Sequence, residues 1–197
     1  MQVTTLLTSL YTSKRILNTF ATVFIIALLA APSFSHIAQA ATAREIDVSV
    51  EVVLDRFKNE VKGAQEFLAN AKGVLVIPNV IRVGFGLGGE YGEGALIIDG
   101  KTVDYYSTAA GSFGFQFGAQ SKDIVIIFME ENALTKFRDS LGWSAGVDGS
   151  IVIVDEGAGG SLDTENAKDP IVGFVFGLKG LMLNLSLEGS KFTKLAK

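Results

Sequence analysis

Between Arg44 and Ala71 the apolar residues Ile46, Val50, Val53, Phe57, Val61, Ala64, Leu68 and Ala71 recur at spacings of three and four. That period places side chains along one face of a helix. Glu51, Asp55, Lys58, Asn59, Lys62 and Glu66 take the other positions, so the pattern predicts an amphipathic helix laid over a core. Gly63 interrupts it, at a cost of about 1 kcal/mol relative to alanine in a helix interior, and predicts a split in two. After Gly73 the period changes. Val74–Ile77 reads as a short buried strand stopped by Pro78, and Asn79–Val83 continues extended.

The stretch from Val83 to Gly94 alternates glycine with large apolar residues, which on a strand leaves one face as bare backbone. Asp99-Gly100 is a two-residue hairpin turn returning the chain through Thr102–Ser107. Phe113, Phe115 and Phe117 then alternate with Gly114, Gln116 and Gly118, and Ile124–Phe128 is wholly apolar. Glu130–Asp139 carries its acids early and Lys136 and Arg138 late, which suits a short helix aligned with its dipole. Trp143–Gly146 and Ser150–Val154 read as a strand pair, Asp155–Asp169 as a long surface loop, and Ile171–Phe176 and Leu181–Leu187 as the last strands.

Four glycine corners, Gly89–Gly92, Gly118–Ser121, Gly146–Gly149 and Gly177–Gly180, recur at similar spacing. They predict four related hairpins. The fold class that follows is α+β and mainly β: a curved antiparallel sheet closing into a sandwich or barrel-like domain, with an N-terminal amphipathic helix and one short internal helix. The 22 glycines all lie beyond residue 40. Glycine inside strands marks bends and close backbone approach.

Residues 1–40 change the picture. Lys14 and Arg15, the apolar run Ile16–Ala31 and the triplet Ala38-Gln39-Ala40 have the layout of a secretory signal peptide cleaved after Ala40, leaving one domain from 41 to 197. The expected location is therefore periplasmic or secreted. A retained anchor is the competing reading, although Asn18, Thr19 and Thr22 interrupt the apolar run. The chain has 17 Lys and Arg against 21 Asp and Glu, and Lys14 and Arg15 fall in the signal, so the remainder is the more acidic. That balance argues against a nucleic-acid partner.

Cysteine is absent and the single histidine, His36, lies in the signal. Ser-His-Asp and Cys-His catalysis and thiolate metal sites are thereby excluded from the exported part. Gly84-Phe85-Gly86-Leu87-Gly88-Gly89 matches the dinucleotide fingerprint in form, but Glu90 and Glu93 follow where a helix N-terminus would have to receive phosphate. Asp155, Glu156, Asp163, Glu165 and Asp169 are oxygen donors without EF-hand spacing. Carboxylate pairs such as Glu90 with Glu93 or Asp148, and Ser-Lys pairs through Ser107, Ser112 or Ser121, have no motif around them. Apparent strand lengths of about five to eight residues fall short of the roughly 9 to 11 of a membrane barrel. No enzymatic activity, cofactor or metal is expected.

Ala71-Lys72-Gly73 leading to Pro78, the Gly84–Gly92 run, Tyr105-Tyr106-Ser107, Gly111–Gly114 with Gln116 and Gly118-Ala119-Gln120, Gly146-Val147-Asp148, Phe174 with Gly177, and Ser186–Gly189 together resemble the SYLF domain family over about residues 45–195. The resemblance implies non-enzymatic phospholipid binding, of phosphoinositides in eukaryotic relatives, through an N-terminal amphipathic helix and basic residues. The export signal argues against carrying over cytoskeletal actin binding. Lys58, Lys62, Lys72, Arg82 and Lys179 are the expected headgroup contacts at a membrane surface, Lys72 foremost because the motif includes it. The alternative is a structural domain with an envelope protein as partner.

Overall fold

The computed structural model describes residues 41–155, 169–180, 187 and 189–197, without the side chains of 85–86, 112–117, 154–155 and 180. Ala41–Lys197 forms one compact unit. The expected signal (1–40), most of the acidic loop and the strand expected at Leu181–Leu187, apart from Leu187, lie outside the described residues, as does the phenylalanine stripe 113–117 for its side chains.

The N-terminal helix divides where the sequence predicts. Helix α1 (Ala43–Glu60) ends before Gly63, whose φ of 79° glycine adopts without a Cβ penalty, and α2 (Ala64–Asn70) follows. Thr42 caps α1: its side chain accepts from the Glu45 amide while the Glu45 carboxylate accepts from the Thr42 amide. Ile46, Val50, Val53 and Phe57 are buried against the sheet.

Two long strands follow. Strand β1 (Gly73–Ile98) and β2 (Lys101–Phe128) pair antiparallel from Gly73↔Phe128 to Ile98↔Lys101, around a turn in which Asp99 and Gly100 both have positive φ. A flat strand of 26 residues would run about 85 Å, against a radius of gyration of about 15 Å for a compact chain of this size. The hairpin has to curl. It does so around its glycine-rich middle, at register shifts between Ile77 and Val80 and between Phe85 and Leu87, and the returning part of β1 lands on its own beginning. A Cβ at Gly94 would stand 1.9 Å from the Val76 carbonyl oxygen, and one at Gly92 2.8 Å from Val80.

Helix α3 (Glu131–Asp139) leads to β3 (Trp143–Ser144), β4 (Val152–Asp155), β5 (Ile171–Gly180) and β6 (Lys191–Leu195). Strand β5 extends the second half of β2, β6 the first half, β3 adds to β6, and β4 runs parallel beside β5. The result is a curled, mixed sheet forming a half-barrel, mostly β with three helices among the described residues, as the fold class anticipates. Period two sorts the core. Val74, Val76, Val125, Ile127, Val172 and Phe174 face α1 and α2, while Leu75, Ile77, Ile124, Ile126 and Val175 face the inside of the curl, with Leu96, Tyr106, Phe137, Trp143 and Phe192.

Several expectations are corrected. The strand does not stop at Pro78: Pro78 and Asn79, φ 48°, form a bulge where the missing amide costs no ladder bond, and pairing resumes at Val80. The corners at Gly89–Gly92 and Gly118–Ser121 lie within β1 and β2, and Gly177–Gly180 lies within β5. Only Gly146–Gly149 among the four is a tight turn, closed by the Gly146 amide on the Gly149 carbonyl at 3.0 Å. Trp143–Ser144 and Val152–Asp155 pair with β6 and β5 rather than with each other. The short strand lengths set against a membrane barrel are also superseded by runs of 26 and 28 residues. No helix among the described residues is long and apolar enough to cross a membrane.

Candidate functional site

Beside α1, on the sheet's helix-covered side, is a groove of about 310 Å³. Its helix wall is Val48, Val52 and Arg56, and its floor and far wall include Pro78, Ser121, Gly177 and Lys179. Val48 and Val52 are more than half exposed, because at 3.6 residues per turn they fall about 170° and 130° round the helix from the buried stripe. Register aligns Ile81, Ser121 and Lys179 across β1, β2 and β5 on one face, so half-exposed Ile81 continues the apolar surface and Lys179 stands at its cationic end.

Arg56 closes one end of this groove. Its guanidinium is bidentate to Glu60, with both bonds 3.0 Å, and donates to Asp123 Oδ2 at 2.6 Å while lying 5.6 Å over the Phe176 ring. The Glu60 bond, followed by the charge of Asp123, holds the guanidinium above its ordinary pKa despite burial, and the same bond lowers Glu60. Asp123 is buried and its other oxygen accepts from the Asn79 amide at 2.8 Å, which ties the Pro78–Asn79 bulge to the helix. Gly177 makes room for this: with φ 65°, a Cβ there would meet Arg56 Nη2 at 2.7 Å and Asp123 Oδ2 at 2.8 Å. Arg56 is thus committed to two carboxylates, and Lys179 is the exposed cation of the groove.

The five basic residues expected to act together are dispersed. Lys58 and Lys62 line a shallow depression at the α1–α2 corner, interleaved with Glu60 and Glu66, so this corner has no cationic excess. Lys72 is exposed between α2 and β1, where its amide joins the end of the ladder by bonding the Phe128 carbonyl at 2.8 Å. Arg82 pairs in register with Gln120 one position beyond Ile81, which turns it to the opposite face of the sheet from Lys179. Lys179 alone of the five lines the groove. Neither Arg56 nor Asp123 stands out in the sequence, and Gly177 does so only as a strand corner and a motif position, not as part of a site. Their only advance signal was Val48 and Val52, an apolar i, i+4 pair off the main stripe.

A second polar group lies inside the curl. Lys122 Nζ and Glu90 Oε2 are 3.0 Å apart, with side chains 3% and 4% exposed, but the contact is not aligned as a hydrogen bond and Glu90 Oε1 has no partner. Thr108 and Ser190 hydroxyls are buried without partners as well. No cluster of three or more potential metal ligands occurs among the described residues.

Residues 109–196 match the family model described as Ysc84, Las17-binding protein actin regulator, which is the SYLF family. The match includes β5 with Gly177 and Lys179 and β2 from Ala109 to its end, and it does not reach α1 or β1. No curated protein matches the chain.

Proposed function

Starting from a chain whose residues 109–196 are a Ysc84 (SYLF) family segment, we propose that it is a non-enzymatic phospholipid-binding protein acting at a membrane surface of the cell envelope. The observation that carries this reading is the groove itself, an exposed apolar wall of Val48 and Val52 with Ile81 beyond it and the Lys179 ammonium at one end. Such a surface suits an amphiphile with an anionic head. The apolar stripe of α1 supports no insertion of its own, since Ile46, Val50, Val53 and Phe57 already fill the core. The contact therefore passes to the exposed valines away from the stripe, and from the dispersed lysines to Lys179.

Co-sedimentation with phosphatidylglycerol vesicles and with phosphatidylcholine vesicles tests this. The expected outcome is preferential binding to the anionic vesicles at low salt, reduced about fivefold by Lys179→Gln at about 1 kcal/mol per basic residue, and further by Val48→Asp with Val52→Asp. Equal sedimentation of all variants, or none with either lipid, overturns the reading and favours an envelope protein as partner.

A further inference from the structure

Where the folded unit begins, three side chains meet. Lys197 Nζ donates to the Ala41 carbonyl and lies 2.9 Å from Glu93 Oε2, both side chains being 10% exposed. Tyr91 donates to the other Glu93 oxygen at 2.6 Å. The Ala41 amide also hydrogen-bonds the Glu93 carboxylate. Ala41 is both the first residue of the compact unit and the residue after the small-x-small triplet Ala38-Gln39-Ala40. A carboxylate with a committed lysine and a committed phenol thus already reaches for the nitrogen that cleavage would convert into an amine.

We propose that hydrolysis of the Ala40–Ala41 bond creates a mature α-ammonium at Ala41 that pairs with the Glu93 carboxylate, so that processing completes a three-member clamp of N-terminus, Glu93 and C-terminal Lys197. A signal endopeptidase supplies the catalysis and water the co-reactant. The C–N bond breaks, the water oxygen goes to the Ala40 carbonyl carbon to give a carboxylate, and the protons go to the Ala41 nitrogen. The ammonium replaces one N–H donor with three and adds a positive charge, which turns a neutral hydrogen bond to Glu93 into a charge-assisted one. Two effects oppose it: the like charge of Lys197, and the positive end of α1, which begins two residues on. Glu45, held in the Thr42 cap and in the field of Lys197, supplies a second negative charge.

The test uses the full chain exported and processed by a bacterial host. Intact mass should give a protein beginning at Ala41. A selective amine reagent at neutral pH should acylate its α-amino group about tenfold more slowly than that of Glu93→Gln, one unit of α-amino pKa above the ordinary value of about 8. Should Glu93→Gln fail to fold, a glycine inserted between Ala40 and Ala41 moves the amine by up to about 3.6 Å and leaves Glu93 intact. The same acceleration is expected of it. An N-terminus elsewhere, or equal acylation rates in the native protein and both variants, overturns the proposal. Neither result bears on vesicle binding.

Discussion

Tyr106 shows how a single side chain carries both a cost and a pH signature. It is 2% exposed, packs on Phe137 at a centroid distance of 4.8 Å, and buries a hydroxyl with no hydrogen-bond partner. Burial, aided by the charge of Asp104, pushes its pKa from the ordinary 10.0 up to about 12. The neutral phenol is therefore favoured in the folded state. Its contribution is fully present below the unfolded value near 10 and is lost as pH rises through about 12. Tyr106→Phe keeps the ring and removes the orphan hydroxyl, so a gain of about 1 kcal/mol is expected at neutral pH, with a shallower loss of stability in alkali. Urea titrations at pH 7 and pH 11 check both; a loss at pH 7 would mean that the hydroxyl has a partner in solution.

At the scale of elements, the glycines of β1 differ by what stands over them. Gly94→Ala puts a methyl 1.9 Å from the Val76 carbonyl and 2.7 Å from the Ile77 Cα, both backbone, so relief requires the two arms of the curl to part. The expected cost exceeds the 1 to 3 kcal/mol typical of overpacking and is about 4 kcal/mol or more. Gly89→Ala on the same strand meets nothing within 4 Å and should stay within about 0.5 kcal/mol of the native protein. Thermal melts of the two variants side by side make the comparison; similar losses would show that glycine acts here through strand propensity rather than close approach.

The sequence made the glycine stretch legible as bare backbone against backbone, and α1 legible through its three-four spacing and Gly63. It hid the lengths of β1 and β2, because Pro78, Gly89 and Gly118 look like stops while the ladder passes through them by bulges and extended glycine. For the groove, charge alone was a poor guide. Lys58, Lys62, Lys72 and Arg82 are near one another in sequence, yet only Lys58 and Lys62 share a surface depression, and strand alternation turns Arg82 to the face opposite Lys179. Arg56 and Asp123 are separated by 67 positions, and only the closed sheet shows that they meet.

On the scale of the whole molecule, the curl is fastened by a pair that a purely apolar interior would not need. Lys122 stands opposite Val80 near the start of β1, Glu90 stands on the returning arm opposite Ala110, and their 3.0 Å contact joins the two arms from inside. A buried ion pair costs its desolvation and returns it only while both partners are present. Lys122→Met should therefore cost about 3 to 5 kcal/mol, since it leaves the Glu90 carboxylate in a buried site without its counter-charge. Glu90→Leu alone strands the ammonium and should cost about as much. The double variant Glu90→Leu, Lys122→Met fills the same space with apolar atoms and should be more stable than either single variant, close to the native protein. A double-mutant cycle by denaturant unfolding measures the coupling directly. Strong coupling with a near-native double variant assigns the pair to choosing how the hairpin closes rather than to stability as such. Additive losses would mean that the two charges act separately and that the glycine contacts alone hold the arms together.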